Sequence, residues 1–474
     1  MKSEPNIFDI IVIGAGSGGL NIAGFMNRVG FRVLLIDTKE ENIGGDCLNH
    51  GCVPSKALIH VAREIHAGKN SKEFGFTVSG DIDLKKVFQY VKEKQDIFRA
   101  HESAEYFRKI GMTVVLGETR FNGKRSIVVG DIEYFGKKIV IATGSRPRRF
   151  ELEGIDGVPV YTNETVFSMT DLPRKFVFVG GGPISLELGQ AFSMLGSEVT
   201  LVHGGAQLLE KEDSDVGICM KQELEAMGVK VLLSARPTRY ADGALMVQTS
   251  GGEEALAADA LFVGIGRVLN IEGLALDTAG IQLTPDGTKL QVDHYLRTTN
   301  TNIYAVGDVA GGLQFTHAAE LHASVVLRNF FSPFKKKLNT DSFGWVTYTS
   351  PEVATFGLTS SELTKRGMVF ETISSSLEED DRAIVDGSRG FLKLFIGKKG
   401  LLLGGTLVAP QAGEIVGELL LAKSKNLTSA DLFNRVAPYP TASRIIRRVA
   451  SQYESKKLTP LAKRLLHILY THVG

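Results

Sequence analysis

A strand, a glycine turn, a helix and a second strand occur in that order twice, and this repeat constrains the fold more than any other feature of the chain. The first copy runs from Phe8 to Asp37: Ile10-Ile11-Val12-Ile13, then GAGSGG, an amphipathic stretch to Val29, and Arg32 to Ile36. The second runs from Lys175 to Val202: Phe176-Val177-Phe178-Val179, then GGGPIS, a helical run through Leu195, and Glu198 to Val202. Each reads as a βαβ unit whose glycines let backbone approach a pyrophosphate, and whose helix N-terminus offers unpaired N–H groups to it. In the first copy those glycines are Gly14, Gly16 and Gly19, and Asp37 stands about 20 residues on, where a carboxylate accepts from ribose hydroxyls. The second has Gly180 and Gly182, with Ser185 small enough to serve at the third position. Its strand ends in His203-Gly204-Gly205 instead of a carboxylate (favouring NAD) or an arginine (favouring NADP). His203 is either a weak phosphate partner or a solvated loop residue, so the choice between NAD and NADP stays open.

A chain of 474 residues has room for about three domains. Val114 to Ser145 alternates β-rich runs with polar turns, closing the first domain. A strand-like run, Asn302 to Val306, leads into Gly307-Asp308, and from Phe343 strands such as Gly390 to Ile396 and Leu401 to Val408 alternate with helices such as Gly413 to Ser424. With 54 basic against 53 acidic side chains the net charge is +1, and nothing in it points to nucleic acid. Met1 to Phe8 is short and polar and enters a strand directly, which is read as a cytoplasmic start, and no apolar run approaches the roughly 20 residues that span a bilayer.

There are only 3 cysteines, too few to staple a secreted fold. Cys219 sits alone in a helix-like stretch and is read as structural. Cys47 and Cys52 lie in GGDCLNHGCVPSKAL, with Lys56 one helical turn later. A structural zinc site competes as a reading, but it needs a second ligand pair that the chain lacks, and His50 alone does not supply it. Beside two dinucleotide units, a disulfide taking two electrons from a flavin is the better account, and no metal site is expected.

These motifs together resemble the pyridine nucleotide-disulfide oxidoreductases, the family of dihydrolipoamide dehydrogenase, glutathione reductase and mercuric reductase. The likeness covers nearly the whole chain. It includes Ala142-Thr143-Gly144-Ser145, Gly264-Ile265-Gly266-Arg267, Tyr304-Ala305-Val306-Gly307-Asp308, Ser350-Pro351-Glu352-Val353-Ala354 and Gly357-Leu358-Thr359. It implies an α/β architecture of two Rossmann-like domains, for FAD and for NAD(P), plus a C-terminal α+β dimerisation domain. The expected division is 1–150 and 271–342 for the FAD and central domain, 151–270 for NAD(P), 343–450 for the dimer interface, and 451–474 for a basic amphipathic tail. By the same resemblance Cys47 is the interchange thiol exposed to substrate and Cys52 the thiol that contacts the flavin. Lys56 and Glu187 are the ion pair beside the flavin, and Asp308 bonds its ribityl chain. Thr143, Gly144, Gly266 and Gly307 belong to the cofactor-binding set, and the active site is shared within a homodimer.

The pattern breaks near the C-terminus. Dithiol-handling members carry His-Pro-Thr-x-x-Glu from the partner subunit, and here the run is Tyr439-Pro440-Thr441-Ala442-Ser443-Arg444. A phenol, with a pKa of about 10, is a poor base, so dithiol turnover is expected to be slow. Tyrosine here is similar to mercuric reductase, although the vicinal C-terminal cysteines of that enzyme have no counterpart in Thr471-His472-Val473-Gly474. The expected activity is electron transfer from NAD(P)H through FAD to a disulfide or metal-ion-type acceptor. Dihydrolipoamide dehydrogenase is the alternative enzyme, and a flavin-bound redox sensor or membrane-associated protein the alternative of another class. In the tail, Lys456, Lys457, Lys463 and Arg464 accompany Leu458, Leu461, Leu465, Leu466, Ile468 and Leu469. That stripe either packs against the dimer, the simpler reading, or lies on a membrane surface.

Overall fold

The computed structural model describes residues 6–473. Its first sheet is built around the parallel strands Ile7–Ile13, Val33–Asp37 and Ile132–Ile141, with Thr113–Leu116 beyond Val33–Asp37. Ile303–Ala305 returns from far along the chain to pair with Ile132–Ile141. The two central strands are apolar on both faces because helices and loops cover both sides of a parallel sheet. Ile10, Ile11, Val12, Leu34 and Leu35 are fully buried, and helix Ser17–Arg28 adds Ile22, Ala23 and Met26 to the same core.

The second dinucleotide unit forms a five-stranded parallel sheet in the order Lys230–Leu232, Glu198–Val202, Lys175–Val179, Ala260–Val263, Val160–Tyr161. Its helix, Pro183–Leu195, starts with proline in the first turn and ends at Gly196 with φ 113°, a left-handed stop suited to glycine. Phe176, Phe178, Phe192 and Phe262 fill the space beneath it. Between the two domains, Ser145–Pro147 and Arg267–Leu269 pair antiparallel, so the outgoing and returning crossings of the chain lie side by side.

The third region is a five-stranded antiparallel sheet ordered Gly344–Thr347, Glu352–Gly357, Leu402–Ala409, Phe391–Ile396, Glu371–Ser376, covered by helices Ala412–Ser424 and Arg444–Ser455. It docks on the second domain through Lys393, almost fully buried, whose ammonium lies 2.7 Å from Asp213 and 2.6 Å from Asp215. A last helix, Pro460–Val473, follows. No helix among the described residues is long and apolar enough to cross a membrane.

Candidate active site

The two dinucleotide turns are built alike, with one exchange. At Gly14, φ 105°, an added Cβ would lie 2.3 Å from the carbonyl oxygen of Ala142, and at Gly180, φ 123°, one would lie 2.3 Å from that of Gly264. Both glycines are therefore required by contact with the neighbouring strand. In the first domain Gly19 packs tightly, its would-be Cβ 2.0 Å from the Gly14 oxygen, and the neighbouring strand end carries Ala142. In the second, Ser185 replaces the glycine, and the strand end has lost its own side chain: a Cβ on Gly264 would stand 2.3 Å from Ser185 Oγ. Serine is accommodated here because glycine faces it.

The strand ends differ as the sequence suggests. Asp37 accepts from the Ala15 N–H at 2.7 Å and from the Thr38 N–H at 2.7 Å, and burial pushes its carboxyl above the usual range. His203 holds the matching place in the second domain, its ring against Gly181, and its Nε2 is buried without a hydrogen-bond partner among the described residues. Glu210 Oε1 is 3.5 Å from that nitrogen. Leu209, in the left-handed region at φ 52°, donates its N–H to the Gly181 oxygen at 2.9 Å and so sets Glu210 beside the turn.

A cleft of about 1320 Å³ runs from the first turn to the second domain. Gly14, Gly16, Asp37, Cys47, Cys52, Lys56, Thr143, Gly144, Gly182, Glu187, Gly266, Gly307 and Asp308 all line it. Gly19, Gly180 and His203 stand behind its wall. The cysteine segment reaches the first turn through the Gly44 N–H, which donates to the Ala15 oxygen at 2.9 Å, and through contact between Gly45 and Gly16. Cys52 opens helix Cys52–Asn70, where the helix N-terminus favours a thiolate.

Both cysteines are free thiols in the structure. The neighbouring Cys47 thiol, with help from the Thr316 hydroxyl at 3.3 Å and from Lys56, outweighs burial and brings the Cys52 thiol down to about 6. The same contact, reinforced by burial, pushes Cys47 far up. The pair thus divides into a ready thiolate and a held thiol. Cys52 is the more exposed of the two and Cys47 is half-buried, and both face the cleft that flavin and acceptor would share.

Lys56 and Glu187 meet at 2.7 Å. Burial presses the Lys56 ammonium down, but the attraction of Glu187, with Cys52 adding to it, holds it above its ordinary value. Glu187 also accepts from the Tyr348 N–H at 2.8 Å, and the Lys56 ammonium sits 4.6 Å over the Tyr348 ring. Arg63, on the same helix as Cys52 and Lys56, donates to the Tyr348 and Thr349 oxygens at 3.1 and 2.7 Å, fixing that loop to the redox helix. Across the cleft, Thr143 Oγ1 donates to the Asn270 oxygen at 2.6 Å, and Ser145 Oγ donates to Asp308 Oδ2 at 2.5 Å. Burial pushes the Asp308 carboxyl up. Behind Gly307, whose N–H points to His322 Nδ1 at 3.3 Å, burial brings the His322 imidazole down to about 4 and keeps it neutral.

Some residues of the site were not singled out from the sequence. Arg267 donates to Ser145 Oγ at 2.7 Å and lies 3.3 Å from Asp46 and 3.8 Å from Asp308, joining three segments. Its signal was present, since it closes the Gly264-Ile265-Gly266-Arg267 motif. Thr316 and Tyr348 carry no local pattern that marks them. Tyr439 does not line the cleft of its own chain; it is 67% exposed, with the Arg444 guanidinium 5.1 Å over its ring. Among the described residues no cluster of three or more histidine, cysteine or acidic side chains is arranged to hold a metal ion.

Residues 8–323 match the pyridine nucleotide-disulphide oxidoreductase family, and residues 344–450 match its dimerisation domain. The chain belongs to this family. A mercuric reductase of Bacillus cereus is 31% identical over 93% of this chain and 71% of its own length. A dihydrolipoyl dehydrogenase of Mycoplasma genitalium is 31% identical over 94% of this chain and 98% of its own. The Cu(II) complex of the HOCl-induced flavoprotein disulfide reductase RclA from Escherichia coli superposes with a TM-score of 0.83 at 26% identity, covering 94% of this chain and 99% of that one. This oxidoreductase therefore uses FAD and NAD(P)H, and its dimerisation domain supports a homodimer. The cleft fits both cofactors: it meets two glycine turns, each opened by a glycine, Gly14 or Gly180, at which no side chain can be added, and an orphaned imidazole nitrogen sits at the second.

Proposed function

We propose that this flavoenzyme carries electrons from NADH to the Cys47/Cys52 pair and from there to an electrophilic acceptor of the thiophilic metal-ion class. Bound FAD would supply the relay between a hydride donor and a disulfide. Gly14, Gly16, Asp37, Thr143, Gly144, Gly307 and Asp308 would hold it, and Lys56 would steady negative charge on its ring. Gly182, Gly266 and Glu187 would face the nicotinamide side. The observation that carries the reading is the gathering of both cysteines and the Lys56–Glu187 pair on one cleft between the two glycine turns, with Thr316 Oγ1 3.3 Å from Cys52 Sγ, surroundings that hold the Cys52 thiol down. Returning from dithiol to disulfide, the pair releases two electrons and the single proton of Cys47. A thiophilic cation takes the thiolates directly and asks little of a base, which suits a chain carrying Tyr439 and Arg444 where dithiol-handling relatives carry a histidine and a glutamate. Relatives named for mercuric reduction and for a Cu(II) complex point to the same acceptor class.

NADH is favoured at the second turn because Glu210, beside the unpaired His203 nitrogen, restores a carboxylate for ribose hydroxyls and would repel a 2′-phosphate. The dihydrolipoyl dehydrogenase reading keeps its place through a relative of equal identity. Anaerobic titration with NADH and then NADPH, in wild type and Cys52→Ser, tests the route. Long-wavelength absorbance from a thiolate beside flavin is expected with NADH, and only in wild type. Steady-state assays should then show NADH oxidation with Cu(II) or Hg(II) exceeding that with lipoamide, and the opposite order would transfer the assignment to the dithiol enzyme.

A further inference from the structure

The last helix has an apolar face that nothing among the described residues covers. Helix Arg444–Ser455 buries Ile445, Ile446, Val449 and Ala450 in the third core. After a break at residues 456–459, helix Pro460–Val473 leaves Leu461 at 68%, Leu465 at 51% and Leu469 at 53% exposed. At 100° per residue, Leu461, Leu465, Ile468 and Leu469 share one face, and Lys463 and Arg464 lie outside that arc. From Ser455 to Gly474 there are four lysines and arginines and no aspartate or glutamate. Lys456 and Lys457 are drawn back to Glu371 and Glu454, whereas Lys463 and Arg464 have no ion partner among the described residues. The rest of the chain carries 50 basic and 53 acidic side chains, so this positive charge belongs to the tail.

We propose that this helix lies in the plane of an anionic lipid surface and tethers the oxidoreductase to it. Its 14 described residues span about 21 Å, against a hydrocarbon core of roughly 30 Å, a length that suits a helix resting at the interface. An apolar face that inserts among acyl chains, flanked only by cations that meet lipid phosphates, is the signature of such helices. The sole-sign charge, with no acidic residue in the segment to offset it, complements anionic headgroups. The tail also lies beyond residues 344–450, the extent of the matched dimerisation domain. In a dimer two tails would act together, adding avidity.

The test is co-sedimentation of the full-length holoenzyme with phosphatidylglycerol-containing vesicles and with pure phosphatidylcholine vesicles. Wild type is compared with Leu465→Glu/Leu469→Glu and with Lys463→Glu/Arg464→Glu, and light scattering reports the oligomeric state of each. Partition onto the anionic vesicles is expected, falling at least about tenfold in either variant and weakening in high salt, with dimer mass and NADH oxidation in solution unchanged. Absence of partition would overturn the proposal. So would conversion of the leucine variant to monomer, which would assign the stripe to a second copy of this chain.

Discussion

At the scale of single residues, the site depends on a proton shared unequally between two sulfurs. A free cysteine titrates near 8.5, and Cys52 is brought down to about 6 by the Cys47 thiol, Thr316 and Lys56. The depressed value favours the thiolate in the folded state, so this contribution to stability is present above the free-thiol range and is lost as pH falls through about 6. The two-electron-reduced enzyme should therefore lose its long-wavelength thiolate absorbance with a midpoint near pH 6, and Thr316→Val should move that midpoint upward. A second expectation concerns the exchanged pair at the nucleotide turn. Gly264→Ala would drive a methyl against Ser185 and should cost about 1–3 kcal/mol in denaturant unfolding. Adding Ser185→Gly recreates the Gly19/Ala142 arrangement and should recover part of that loss. The cysteine motif, the glycines and Lys56 were legible in the sequence because their spacing along one segment encodes their chemistry. Thr316 and Tyr348 were not, because their roles arise from contacts with residues more than 150 positions away.

Elements were readable to the extent that they were periodic. The two βαβ units match their sequence patterns closely, with helices at Ser17–Arg28 and Pro183–Leu195, since apolar runs, glycine turns and a proline start leave few alternatives. How elements dock on one another was much less visible. Lys393 lies mid-strand in an apolar run and gives no hint that it will be buried between Asp213 and Asp215. Removing it strands Asp213 at the junction of two domains. Lys393→Ala should lower stability by about 2–3 kcal/mol, measured by thermal or denaturant unfolding, whereas Asp215→Asn, at a half-exposed partner, should cost less.

For the molecule as a whole, the cleft lies where the domains meet, so its occupant couples to the stability of the assembly. Stripping FAD should lower the melting temperature, and adding it back should restore it in a concentration-dependent way, by about 4 kcal/mol at a thousand times the dissociation constant. The order of the motifs along the chain is plain in the sequence, but the ladder joining residues 145–147 to 267–269 is not, since each strand is only three residues long. That ladder has an evolutionary consequence. Because the chain leaves the first domain and re-enters it through one small doorway, the segment between can be exchanged as a cassette as long as it brings back a carboxylate for Lys56 at Glu187 and for Lys393 at Asp213. A lineage could thereby replace its nucleotide preference wholesale by recombination at this doorway, while inheriting the cysteine helix and its acceptor chemistry intact.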